Sequence, residues 1–351
     1  MATRDFSMER NPGVGLVQQA SAIGISSGYI ADDLASALFP KSEVILTDRM
    51  LSNGRQYLRT IVQEIETEIC MIAAEDFGMQ QDIVIEIGNS GRVHSYGLLQ
   101  NAGLLESKTL LDNVFTCVQR AELNTRLLQR VSQADLEAVL TRYLDDEDAS
   151  VADAAMALLV AQSRASAGSG SLQAHIANLP ADILFALTWP VTAALQKMSG
   201  DEGQELTKAA EKLLSQHDEG IATPIRAARL AQLVDEVAEG KQEPHPIHDG
   251  LDLFFARIAR RSGLSVDQLI LFTAEPNMVR LVLTMRAIEI PADHALSIFG
   301  ALDAGGQVLT RASYEEIETE KAKQLVASWS TNALYQNAQH QLNAHLSGLP
   351  A

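Results

Sequence analysis

The sequence predicts an all-α protein of stacked antiparallel helix pairs, an α-solenoid, on three observations. Aromatic residues are only 5% of the chain, and alternating Val/Ile/Thr/Tyr runs of the kind that make strands are nearly absent. Apolar residues recur instead at three- and four-residue spacing, the period of a helix with one buried face. Short polar turns then separate consecutive stripes, which folds neighbouring helices back on each other.

The stretch Leu136 to Arg164 shows the pattern best. Leu136, Val139, Leu140 and Leu144 form one stripe, and Val151, Ala155, Leu158, Leu159 and Ala161 form a second after the acidic turn Asp145-Asp146-Glu147-Asp148. Asp148 is placed to cap the second helix, because its carboxylate can accept from the free N–H groups of the first turn. A Leu-rich helix, an acidic turn and a V-A-x-x-A start read as a HEAT-like pair.

In chain order, the first dozen residues are polar, and GISSGYIADDLASALFP predicts a Ser-capped helix ending before Pro40. Its Gly24-Ile25-Ser26-Ser27-Gly28 matches the nucleophile-elbow pattern, but that motif needs a preceding strand and a sheet, which the chain does not offer. From 47 to 75 runs the longest helix, with Leu51, Leu58, Ile65 and Ile72 spaced by sevens. That seam suits a bundle core and, as the alternative, a homodimer. Asp82 to Ile87 is ambiguous between strand and helix, and the Gly88-Asn89-Ser90-Gly91 turn after it lacks the Lys-Ser/Thr of a phosphate loop. Helices are expected over 93–101, 107–119 and 121–130.

Ala165 to Ser171 is small, polar and uncharged, and marks a linker between a first domain, 1–164, and a second, 172–351. Beyond it, Pro180 opens a helix that Pro190 should kink or split beside Trp189. Helices over 203–216 and 221–239 follow, then a proline loop over 240–250. Arg260 to Asp267 aligns with Arg286 to Asp293 at a constant offset (286 − 260 = 26), each copy a helix end, a short turn and a Ser or Pro at the next helix start. Helices over 314–328 and 332–346 close the chain.

The charge of −18, from 45 acidic against 27 basic residues, opposes binding to nucleic acid and anionic lipid. Cys70 and Cys117 show no metal or redox spacing. No run approaches the ~18 apolar residues of a membrane span, so a soluble cytoplasmic protein is expected. No complete phosphate-loop, HExxH, CxxC or GxGxxG motif is present, and no catalytic, cofactor-binding or metal-ligating residue is assigned.

These landmarks resemble an alphaproteobacterial family, in its sphingomonad form, catalogued as domain of unknown function 2336. The resemblance rests on DRMLSNGRQYLRTIVQEIETEI at Asp48 to Ile69, YLDDEDASVADAAMALLVAQSR, LPADILFALTWPVTAAL, HDEG at His217 to Gly220, and EIETEKAKQLVASW. It implies an all-helical cytoplasmic protein of HEAT-like character and carries over no site residues. The chain departs from that family at Thr188-Trp189-Pro190, where the aromatic helix would continue without a proline.

Two functions from different classes follow. The first is a non-enzymatic helical-repeat scaffold, regulatory or signalling, that binds a protein partner which the acidic charge would make basic. On it, Arg257, Arg260 and Arg261 share a helix face, with Arg286 in the next hairpin, as an interaction surface, although such arginines also pair with their own chain's acids. The second is a metal-dependent HD-like phosphohydrolase, active or degenerate, built on His217-Asp218 and His248-Asp249. It requires those four side chains to converge.

Overall fold

A computed structural model describes residues 48–79, 94–166, 176–199, 204–237, 243–303 and 309–330. All regular structure among them is helical, fourteen α-helices and three 3-10 turns. The expected Ser-capped helix before Pro40, the ambiguous segment 82–87 with its glycine turn, most of the 165–171 linker and the helix expected over 332–346 lie outside these residues.

The helices pack in two units that divide after Val237. Helices on both sides of the linker expected at 165–171 pack together within the first of these units. In the N-terminal unit α1 (Asp48–Phe77) is the centre, touched by α2 (His94–Asn101), α3 (Lys108–Leu128), α6 (Ala181–Ser199) and α7 (Glu205–Gln216). Its stripe explains why. Leu58, Ile61, Val62, Ile65 and Ile69 are each 0% exposed, and burying one such aliphatic side chain contributes about 1.5–3 kcal/mol. Three of the four residues of the seven-residue seam, Leu58, Ile65 and Ile72, are thus buried inside the monomer. Polar ties fix the register: Ser95 Oγ donates to buried Glu66 at 2.6 Å, joining the start of α2 to α1, and Ser107 caps α3 by accepting from Leu110 N–H at 3.3 Å.

Helices α4 (Gln133–Leu144) and α5 (Ala149–Ser166) fold back on each other as expected, and α5 also packs on α8 (Thr223–Val237). Asp148 caps α5, accepting from the N–H and the Oγ of Ser150 at 2.8 and 2.6 Å. Those bonds hold its carboxyl below the usual range. Two expected breaks are absent. The segments expected over 107–119 and 121–130 form one helix, α3, since nothing between them removes a hydrogen bond. Helix α6 runs through Pro190. Pro190 deprives only the carbonyl of Ala186, an exposed residue that water can serve, while Thr188 and Thr192 hydroxyls donate to Leu184 and Thr188 carbonyls at 2.7 Å.

The C-terminal unit is built on α9 (Pro246–Ser262), against which α10 (Val266–Phe272), α11 (Val279–Ala287) and α12 (Ala292–Leu302) pack. The loop expected over 240–250 instead begins α9 at Pro246, because Pro suits a first helical position and His245 caps it. Gly250, at φ 71 and ψ 162, then bends the chain sharply before the helix continues. The single helix expected over 314–328 is two, α13 (Arg311–Glu315) and α14 (Thr319–Ser330). Thr310 and Ser313 form a capping box at the start of α13, and α14 packs on α11. At the 26-residue offset the two turns share their geometry. Gly263 and Glu289 are both left-handed, at φ 74 and 62; Leu264 and Ile290 are buried; Ser265 and Pro291 hold the position before the next helices, Ser265 with a capping hydrogen bond and Pro291 without one.

Candidate functional site: a cleft beside the long helix

The polar side of α1 presents Thr60, Gln63, Glu64, Thr67 and Glu68, spaced by three and four so that they share a face. With the 3-10 turn Ile176–Asn178 and the end of α7, this face walls a cleft of about 680 Å³, closed by Leu213, Gln216, His217, Asp218 and Ile221.

Glu64 is the titratable group that the cleft perturbs most. Burial pushes its carboxyl up to about 7, against the opposing effect of a bond from Ile176 N–H, which donates to Oε2 at 3.2 Å. It therefore stands near half-ionised at neutral pH, and a cation entering the cleft would draw it fully into its charged form. Glu68 and Asp218 add two further carboxylates to the lining. The threonine hydroxyls are turned inward, Thr60 to the Gln56 carbonyl at 3.0 Å and Thr67 to that of Gln63 at 2.8 Å. Both hydroxyl hydrogens are thus spent on the helix backbone, and the carboxylates are the acceptors the cleft offers a ligand.

His217-Asp218, singled out from sequence as half of a metal site, lies in this cleft with structural work of its own. His217 Nε2 is 2.9 Å from the Leu179 carbonyl; a carbonyl only accepts, so Nε2 carries the hydrogen. Asp218 accepts from Gly220 N–H at 2.8 Å, and a Cβ on Gly220 would meet that oxygen at 2.9 Å, which is why glycine ends the HDEG run. The neighbouring Glu219 accepts from Ala181 N–H at the start of α6. His248-Asp249 belongs to the C-terminal unit, where Asp249 is buried against Arg257 at 2.9 Å. Among the described residues no three His, Cys, Asp or Glu side chains gather to hold a metal ion, and no helix is long and apolar enough to cross a membrane.

The arginine surface expected from sequence is dispersed. Arg257 is 0% exposed, the core partner of Asp249, and cannot meet another protein. Arg261 pairs with Glu243 at 2.8 Å, and Arg286 donates to the Ile317 carbonyl at 2.9 Å while lying over the Tyr314 ring. Arg260 alone of the four is exposed. The thiols are occupied by packing: burial and then Glu66 push Cys70 up to about 12, and Cys117 accepts from Tyr57 OH at 3.0 Å.

Sequence reasoning missed Glu64. The available signal was a second, polar stripe on α1 opposite the apolar one, continuous over two turns where a solvated face would more often carry lysine and arginine. Compared with known proteins, the chain matches no family model, no curated sequence and no solved structure.

Proposed function

We propose that the chain is a non-enzymatic helical scaffold, regulatory or signalling in role, whose N-terminal unit takes a basic segment of a protein partner into the cleft beside α1. The observation that carries this reading is the lining: Glu64, Glu68 and Asp218 in a concave site of about 680 Å³, with Glu64 poised near 7. An arginine or lysine there finds carboxylate acceptors, and Leu213 and Ile221 offer its stem apolar contact. The net charge of −18 steers basic partners toward the molecule, so association slows as salt screens that field over a Debye length of ~8 Å at physiological ionic strength.

The HEAT-like reading belongs to the same proposal. It is supported by the α4–α5 pair and by the matching turns at Gly263 and Glu289, and the likeness to domain of unknown function 2336 rests on segments that fall largely in α1, the α4–α5 pair, α6 and α14. A cytoplasmic setting is supported by the two free thiols, Cys70 and Cys117.

The test uses a fluorescent peptide of alternating arginine and glycine, followed by anisotropy at several salt concentrations. Glu64→Gln/Glu68→Gln is expected to weaken binding about tenfold or more, the loss of two desolvated charge-assisted contacts. A control with the same charge change on exposed residues, Asp153→Asn/Glu211→Gln, should weaken it less than threefold. Equal loss in both would reduce the cleft to general acidity and sink the proposal.

A further inference from the structure

The start of α9 is held by a set of hydrogen bonds compatible with only one protonation state of His245. Its backbone N–H donates to Asp249 Oδ2 at 3.1 Å, and its carbonyl accepts from His248 and Asp249 N–H at 3.0 and 2.8 Å. Its ring Nδ1 accepts from Ile247 N–H at 3.2 Å. An acceptor at Nδ1 fixes the hydrogen on Nε2, which lies 3.0 Å from Ser297 Oγ on α12. The imidazole is therefore neutral, and a proton added at Nδ1 would set a donor against a donor.

Two more imidazoles flank this ring. His248 lies 4.9 Å away and His294, on α12, 5.3 Å away, centroid to centroid. The His294 Nε2–H donates to the Pro244 carbonyl at 3.1 Å. Segment 243–249 is thus fastened to α12 at two points, His245 to Ser297 and Pro244 to His294, with three titratable rings at the join.

The charges acting on His245 are those of His248 and His294, which oppose its protonation, and Asp249, which favours it. Asp249 is already paired with Arg257. Elsewhere on the elements packed here, Glu243 is paired with Arg261 and Asp293 with Arg311. On α11, Arg280 is paired with Glu275 and Arg286 donates to the Ile317 carbonyl. On α10, Asp267 is exposed.

We propose that His245 forms a pH-released clasp, fastening residues 243–248 to α12 while its ring is neutral and freeing them as Nδ1 takes a proton. Asp249 stays anchored to Arg257, and Gly250, at φ 71 and ψ 162, already separates the first turn of α9 from the rest, so release stops short of the helix from Leu251. Burial, then the two neighbouring imidazoles, lower His245 to about 4, and opening returns it to an ordinary imidazole near ~6.5. By linkage the open form gains about 20-fold in population between pH 7 and pH 5. The sign follows from the lowered value: the closed clasp is fully favoured above ~6.5 and loses its advantage as pH falls toward 4.

Amide hydrogen exchange of the full chain tests this, with rates corrected for intrinsic pH dependence. Protection at Ile247, His248 and Asp249 should fall about 20-fold relative to Phe254 between pH 7 and pH 5. His245→Asn, whose side chain can still cap the helix but cannot titrate, should abolish the differential fall. His294→Gln, which keeps a donor for Pro244 and removes one repelling ring, should shrink it. Unchanged protection in the wild type would overturn the clasp. So would an undiminished fall in His245→Asn, or loss of protection at Phe254 in step with the other three, which would mean collapse of the whole unit. Should His245→Asn not fold, the wild-type profile against Phe254 decides on its own.

Discussion

Replacing Arg257 by methionine should unfold the C-terminal unit far more readily. The guanidinium and the Asp249 carboxylate are 0% and 1% exposed and 2.9 Å apart. At an effective dielectric of ~20 the attraction at that distance is about 6 kcal/mol, much of it offset by desolvation of both groups. Removing one partner forfeits the attraction and leaves a buried charge, so Arg257→Met should cost about 3–5 kcal/mol, as should Asp249→Asn. The double replacement should recover most of the loss, because the buried charge is gone and asparagine can still accept from His245 N–H. The two tryptophans make the measurement clean. Trp189 lies in α6, while Trp329 lies in α14 with its ring 5.6 Å from Phe272, so urea unfolding followed by fluorescence in a Trp189→Phe background reports the C-terminal unit. A loss below about 1 kcal/mol for Arg257→Met, or a double variant as weak as the two singles combined, would refute the reasoning and return Arg257 to the surface role its spacing suggested.

Glu64→Gln should stabilise the N-terminal unit at pH 8, with Trp189 as reporter: a carboxyl raised to about 7 binds its proton more tightly folded than unfolded, so its contribution is best below its ordinary value of ~4.3 and falls as pH rises through 7. No gain at pH 8 would mean the carboxyl is better solvated than its place in the cleft implies. Tyr314→Phe should cost about 1–3 kcal/mol in urea unfolding, because the buried hydroxyl donates to the Ile290 carbonyl at 2.8 Å and its loss orphans that carbonyl; a neutral result would mean water replaces it. A chelator should leave the melting temperature within about 1 °C of its starting value, whereas a fall of several degrees would restore the metal-dependent hydrolase as the better reading.

The helical class, the course of α1 and the α4–α5 pair were legible because each depends on periodicity within one short stretch. The two turns at Gly263 and Glu289 were legible for the same reason. What sequence missed depends on what lies opposite. Arg257, Arg260 and Arg261 look alike on a helical wheel, and only the fold of the 243–250 segment, with its bend at Gly250, brings Asp249 back onto Arg257. Glu64 reads as an ordinary exposed glutamate until the Ile176 turn, more than a hundred residues on, covers it. Ala165 to Ser171 has the composition of a linker, yet composition records only that a segment need not pack, and says nothing about whether its neighbours do.

The central position of α1 also sets a timetable for synthesis. Two of the helices packed on α1, α6 and α7, come late, and 204 − 77 = 127 residues separate the end of α1 from the start of α7. At about 5–20 residues per second a ribosome needs roughly 6–25 s to make that stretch. Through that interval Leu58, Ile61, Val62, Ile65 and Ile69 are without part of their native cover and open to the wrong neighbour. A nascent chain stalled in the glycine-serine segment after α5 would present that stripe to any chaperone, or to another ribosome's half-made copy.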